Sequence, residues 1–156
     1  MDYGNWKPKD IRKLIREGKI TGQTSGMCNG YAQANMAILP KSLAFDFLLF
    51  TQRNRKPCPL LDVTEAGNPE PKLAAPGADL RYDIPKYRIY KKGILTDEVT
   101  DLSGYWQDDY VAFLLGCSFS FESPMIEDGL DVRHITDHHN VPMYITNIPC
   151  VPSGVF

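Results

Sequence analysis

The rhythm of apolar positions changes several times along the chain. Ile11, Leu14 and Ile15 fall at helical spacing within residues 8–17, which predicts an amphipathic helix. Pro8 suits its first turn, where an amide hydrogen would be unpaired in any case. Gly18 can close the helix in a left-handed conformation. Glycine then recurs at positions 18, 22, 26 and 30. Each interior glycine costs a helix about 1 kcal/mol relative to alanine, so this stretch reads as a loop feeding a helix. That helix is expected to include residues 31–39, capped by Ser25 or Asn29 and ended by Pro40. Ser42 can cap another, with Ala44, Phe47, Leu48 and Thr51 facing inward.

Beyond Pro57-Cys58-Pro59 the periodicity shortens. Leu60 to Val63 predicts a short buried strand. Residues 66–79 carry no useful period and read as a loop. Tyr87–Tyr90 and the stretch from Ile94 to Thr100 alternate imperfectly around Lys91-Lys92-Gly93, a plausible turn between two strands. Tyr110 to Leu115 is a continuous apolar run suited to a strand buried on both faces. Ser123-Pro124 can start a short helix that Gly129 stops. Two more strands are expected at 132–135 and 141–145. Together these elements predict an α/β fold, with residues 1–65 and 107–156 as the main domain and 66–106 as an inserted antiparallel subdomain.

Composition narrows the class. Hydrophobic residues make up 43% and charged residues 23% of the 156, which argues against disorder. The net charge of −2 gives no electrostatic reason to bind nucleic acid. No apolar run is long enough to span a membrane, and the first residues lack the apolar segment of a secretory signal, so a cytoplasmic location is expected. Cys28, Cys58, Cys117 and Cys150 form no CxxC pair and read as reduced thiols.

Candidate chemistry concentrates at the exit from the apolar run. Gly116 permits a sharp turn there. The following residues offer the Cys117 thiol, the Ser118 and Ser120 hydroxyls, backbone amides and the Glu122 carboxylate. The plain alternative is a turn whose serines satisfy backbone groups. The glycine-rich segment fits neither GxGxxG nor GxxxxGK[ST], so it implies no nucleotide. Its Thr24, with Gln33 and Asn35 beyond it, could hold a small polar ligand. Arg81 could clamp a carboxylate, with Asp83 holding the guanidinium or taking a proton. Asp46 and Asp62 are further acid/base candidates. His134, His138 and His139 lie near Asp137, but their spacing does not support a metal site. His134 is a possible acid/base, and Arg133 beside it a possible anion partner.

Several separated motifs then occur in order: Gly18-xxx-Gly22-xxx-Gly26-xxx-Gly30-Tyr31-Ala-Gln33-Ala-Asn35, Phe45-Asp46-Phe47, Arg53-Asn54, and Pro57-Cys58-Pro59-Leu60. They continue with Asp79-Leu-Arg81-Tyr-Asp83-Ile-Pro85-Lys-Tyr-Arg88, Gly116-Cys-Ser-Phe-Ser-Phe-Glu122, Arg133-His134 and Val141-Pro-Met-Tyr144. This series resembles the D-glutamate cyclase/hydro-lyase family over nearly the whole chain. The resemblance implies a three-layer α/β/α-like core with a smaller two-layer antiparallel portion. It also implies conversion of D-glutamate to 5-oxo-D-proline and water, without a cofactor. Family members usually continue past the equivalent of Pro152–Phe156, so a further C-terminal part is expected.

That reaction needs positioning, proton transfer and stabilisation of oxygen charge. Glu122, Asp83, Cys117 and Ser118 are the candidate catalytic groups, with amides around residues 116–120 facing the oxyanion. Arg81, Thr24, Gln33, Asn35, Ser120, Arg133 and His134 are the candidate binding groups. The expected partner is a small carboxylate or amino acid, with self-association possible and no membrane or nucleic acid. The glycine-rich segment and the 116–123 junction should then meet across one cleft. The alternative is a noncatalytic module that binds carboxylates or another protein.

Overall fold

A computed structural model describes residues 2–137, 139 and 141–156. The first helix, α1 (Pro8–Arg16), forms where the stripe predicts it. Gly18 adopts a positive φ, and the amides of Gly18 and Lys19 bond back to Ile15 and Leu14, closing the last turn. Ile11 and Ile15 pack with Ile20 and Cys28 in a small core of their own. The glycine-rich segment is thus pinned to α1.

The larger core surrounds β5 (Tyr110–Gly116). This strand lies between β1 (Ala34–Pro40) and β2 (Leu60–Val63), antiparallel to both. Its central position explains the unbroken apolar run. Phe113 faces Phe47 of α2 (Lys41–Arg53), ring centroids 4.8 Å apart. Ala112 and Leu114 point the other way, into a cluster with Leu80, Ile84 and Trp106. Those last three belong to the segment expected to be a separate subdomain, and they share the main core. A hairpin of β3 (Tyr87–Lys91) and β4 (Ile94–Val99) completes that segment. Its turn residues Lys92 and Gly93 both have positive φ, the geometry of a tight two-residue hairpin loop.

Several sequence expectations give way. Residues 34–40 form β1 instead of a helix, and they follow from β5's needs. Met36 and Ile38 pair with Leu114 and Ala112 and join the same cluster, so tertiary pairing overrides local propensity. Pro40 ends the strand and stands at the N-cap of α2; Ser42 does not cap it. The apolar run of β5, a pattern common in parallel sheets, here pairs antiparallel with both neighbours. Helix α3 (Phe119–Glu127) starts earlier than expected, and Pro124 lies inside it. Gly129, with positive φ, follows its end as foreseen. The stretch expected as a strand at 132–135 is largely the short helix α4 (Arg133–Thr136), and residues 141–145 form no strand.

The last residues are fastened to α2. The Asn54 side chain exchanges two hydrogen bonds with the Val151 backbone, at 2.8 and 2.9 Å. Phe156 packs on Phe47. Gly154, at positive φ, lies so close that a Cβ would collide with the Asp46 carboxylate. Asp46 therefore lies against the turn at Gly154.

Candidate functional site

The glycine-rich segment and the start of α3 meet. The Gln33 amide donates to Ser120 Oγ at 2.8 Å, and the Cys117 amide donates to the Gln33 carbonyl at 3.0 Å. Ser123 Oγ donates to Asn29 Oδ1 at 2.8 Å. These bonds tie the end of β5 and the first turns of α3 to the loop that precedes β1.

Glu122 is drawn inward by this junction and is buried, with 6% of its surface exposed. A buried carboxylate needs partners. Its Oε1 lies 2.8 Å from His134 Nε2 on α4, and its Oε2 accepts a bond from Ser25 Oγ at 3.3 Å. Two remote segments thus converge on one carboxylate. With Nε2 bonded to Glu122, the opposite ring nitrogen, Nδ1, is the one left to exchange a proton.

A cavity of about 290 Å³ opens at the start of α3, at the small end of ligand-pocket volumes. Phe119, one helical turn before Glu122, lines it, and Glu122 and His134 are not among its lining residues. Cys117 and Phe119 line one wall, Thr24, Gln33 and Asn35 another, and Lys86 a third. Gln33 uses its side chain to shape the loop. Its Oε1 accepts from Thr24 Oγ1, and its Nε2 donates to the carbonyls of Met27 and Thr24. The Asn35 side chain has no protein partner among the described residues. Of the amides at 116–120, those of Gly116, Cys117 and Ser120 are taken by Pro59, Gln33 and Cys117 carbonyls. The amides of Ser118 and Phe119 have no acceptor among the described residues, as expected at a helix start.

Arg81 and Asp83 do not pair as expected. Arg81 forms a two-pronged bridge to Asp79 and lies over the Tyr82 ring. Burial alone raises the Asp79 carboxyl, but the bonds and charge from Arg81 outweigh it and hold Asp79 below its ordinary value. Asp83 instead receives Arg16 of α1 in a two-pronged bridge, with Arg12 at 3.6 Å and the Asp79 amide at 2.7 Å. Donating to the Asp83 carboxylate raises the Arg16 guanidinium further. Both groups are thereby occupied in joining α1 to the 79–83 turn. The Asp62 carboxylate is spent likewise, accepting backbone amides of Val63, Leu73 and Ala74.

Arg133 is exposed on α4, and Ser118 is exposed at the N-cap of α3. His138 lies outside the described residues. No group of three or more His, Cys, Asp or Glu among the described residues could hold a metal ion. No helix among them is long and apolar enough to cross a membrane.

Sequence reasoning named both Glu122 and His134 but gave no sign that they touch. They are 12 positions apart, and a glycine-ended helix turns between them. Lys86 was missed as an individual site residue, since it belongs to no local pattern that marks it; Ser25 was named as a cap and a hydroxyl of the glycine-rich loop, without its contact to Glu122.

Comparison with known proteins defines the class. The D-glutamate cyclase family matches residues 111–156, the segment holding all but the first residue of β5, with Glu122 and His134. Over 149 residues, 96% of this chain, the sequence is 67% identical to Putative hydro-lyase YcsI of Bacillus subtilis, covering 58% of that protein. It is 62% identical over its whole length to Putative hydro-lyase Teth514_1597 of Thermoanaerobacter, covering 59% of it. A Putative hydro-lyase of Psychrobacter arcticus is 59% identical over the same full length, with 59% of it covered. By sequence the chain is similar, over nearly its whole length, to proteins named as hydro-lyases, and over residues 111–156 to the D-glutamate cyclase family. It spans about three-fifths of the length of the curated relatives it matches.

Proposed function

We propose that the protein is a hydro-lyase for a small carboxylate, and that its reaction is closure of D-glutamate to 5-oxo-D-proline with loss of water. The relatives' names support the class, and the family's name supports the reaction. The observation that carries the chemistry is the buried Glu122–His134 pair, set one turn of α3 beyond Phe119 of the cavity wall.

The closure forms a bond from the amine nitrogen to the side-chain carboxyl carbon and breaks one C–O bond. The nitrogen goes from ammonium to lactam N–H, so two protons pass from nitrogen to the departing oxygen, which leaves as water. A group that takes a proton and returns it serves both transfers. In this reading His134 carries the proton at Nδ1, and Glu122 orients the ring and stabilises its charged form, as a positioning residue. The free amides of Ser118 and Phe119 face the oxygen charge that builds during attack. Cys117 and Asn35 contribute to the cavity wall, and Ser120 holds the Gln33 backbone in place behind it. In the same reading the three-stranded sheet is part of the family's three-layer core, and residues 66–106 form its smaller antiparallel portion.

The test is a panel of D-glutamate, L-glutamate and simple hydroxy acids, followed for substrate loss and 5-oxo-proline formation. It should use both this chain and one of the longer relatives. D-glutamate is expected to turn over preferentially, above the uncatalysed rate. His134→Gln should lower kcat by about 10²–10⁴-fold with little change in thermal midpoint. Dehydration of another acid with no D-glutamate turnover would refute the reaction while keeping the class. Saturable binding without turnover of any acid would favour a binding module.

A further inference from the structure

The cavity's lining has a charge signature that the Glu122–His134 pair does not explain. Among the described residues that line it, Lys86 alone is charged; the remaining polar side chains are neutral, and none is a carboxylate. Lys86 follows Ile84 and Pro85, which also line the cavity, so its backbone is held at the rim by the turn that Asp83 anchors. Among the described residues its one carboxylate partner, Glu98, is 3.8 Å from Nζ and already accepts Arg88 at 2.8 Å. Lys86 therefore has a long, half-exposed contact to exchange for a better one. The other candidate cation, Arg81, is engaged with Asp79 at 2.7 Å.

A low-volume cavity with a single positive charge and several neutral donors selects an anion. Asn35 and Gln23 have side chains without protein partners among the described residues, and they can complete the bonds to a carboxylate that Lys86 attracts. We propose that Lys86 is the carboxylate anchor of this cavity, gripping the end of a small mono- or dicarboxylate that does not react. The proposal rests on reading the cavity as a small-carboxylate site, and it assigns to Lys86 the part that the sequence suggests for Arg81. Lysine suits this place because a compact ammonium on a flexible stem can follow its ligand from rim to interior.

Calorimetric titration of this chain with glutarate tests the assignment directly. Wild type is expected to bind glutarate saturably, and Lys86→Gln to weaken it about tenfold or more, the loss expected for one charge-assisted contact. Lys86→Arg should recover most of the affinity, showing that charge rather than folding is at issue. Arg81→Gln should bind as wild type does. Glutaramide, the uncharged analogue, should not distinguish wild type from Lys86→Gln. His134→Gln should retain glutarate affinity, so that failure of the proton-transfer reading leaves the anchor result standing. Equal glutarate affinity in wild type and Lys86→Gln would overturn the proposal. So would an equal loss in Arg81→Gln, or the absence of saturable glutarate binding.

Discussion

Two carboxylates, Asp83 and Glu122, are buried to the same degree, each with 6% of its surface exposed, yet they are surrounded differently. Asp83 meets two guanidiniums and a backbone amide, partners whose charge does not change under ordinary conditions. Glu122 meets an imidazole and a hydroxyl, partners that can gain, lose or relay a proton. Burial alone therefore does not mark a working acid or base; the protonation range of the partners does. One carboxylate fastens α1 to the 79–83 turn, and the other holds a proton carrier in place.

The strongest way to break this contrast is to neutralise Asp83. Asp83→Asn keeps the shape but leaves Arg12 and Arg16 facing a neutral amide. We expect a loss of about 2 kcal/mol in urea unfolding, below the roughly 3–5 of a fully buried pair because Arg16 keeps about half its surface in water. Turnover per folded molecule should persist. A fully stable Asp83→Asn protein without activity would reverse the roles assigned to the two carboxylates.

A smaller effect sharpens the same picture. Tyr87 is buried, donates to the Leu80 carbonyl at 2.8 Å and accepts the Ile84 amide at 3.2 Å, bracketing Asp83 in sequence. Tyr87→Phe should cost about 1 kcal/mol. Burial also pushes the Tyr87 phenol far above its ordinary value. A raised value in the folded state means that its contribution is fully present below about pH 10, the unfolded phenol's range, and is lost as pH rises beyond it. Wild type should therefore lose stability above about pH 10 more steeply than Tyr87→Phe. Parallel slopes in alkaline unfolding curves would remove Tyr87 from the account.

The sequence shows some of this plainly. α1, β2, the 91–93 turn and β5 are legible because each carries its own period or terminator, such as the Ile11–Ile15 stripe or the apolar run ending at Gly116. β1 is not, because Gln33, Asn35 and the alanines around them look helical until β5 supplies a partner at Met36 and Ile38. The same holds for the site. Glu122, Gln33 and His134 are visible as polar residues near turns, whereas their contacts cross between segments. Arg81 and Asp83 look like a pair because they are neighbours in sequence. Each prefers another partner, Asp79 or Arg16, because those partners lie in better reach in the fold.

The central claim is that Glu122 positions His134 and that Nδ1 carries the proton. Nitrogen-15 NMR of the His134 ring tests it most directly, since neutral imidazole shows which nitrogen holds its hydrogen. The account predicts the Nε2–H form in wild type, donating to the Glu122 carboxylate, and loss of that tautomer preference in Glu122→Ala. A neutral His134 with hydrogen on Nδ1 and a bare Nε2 would mean that Glu122 holds the proton, and would contradict it.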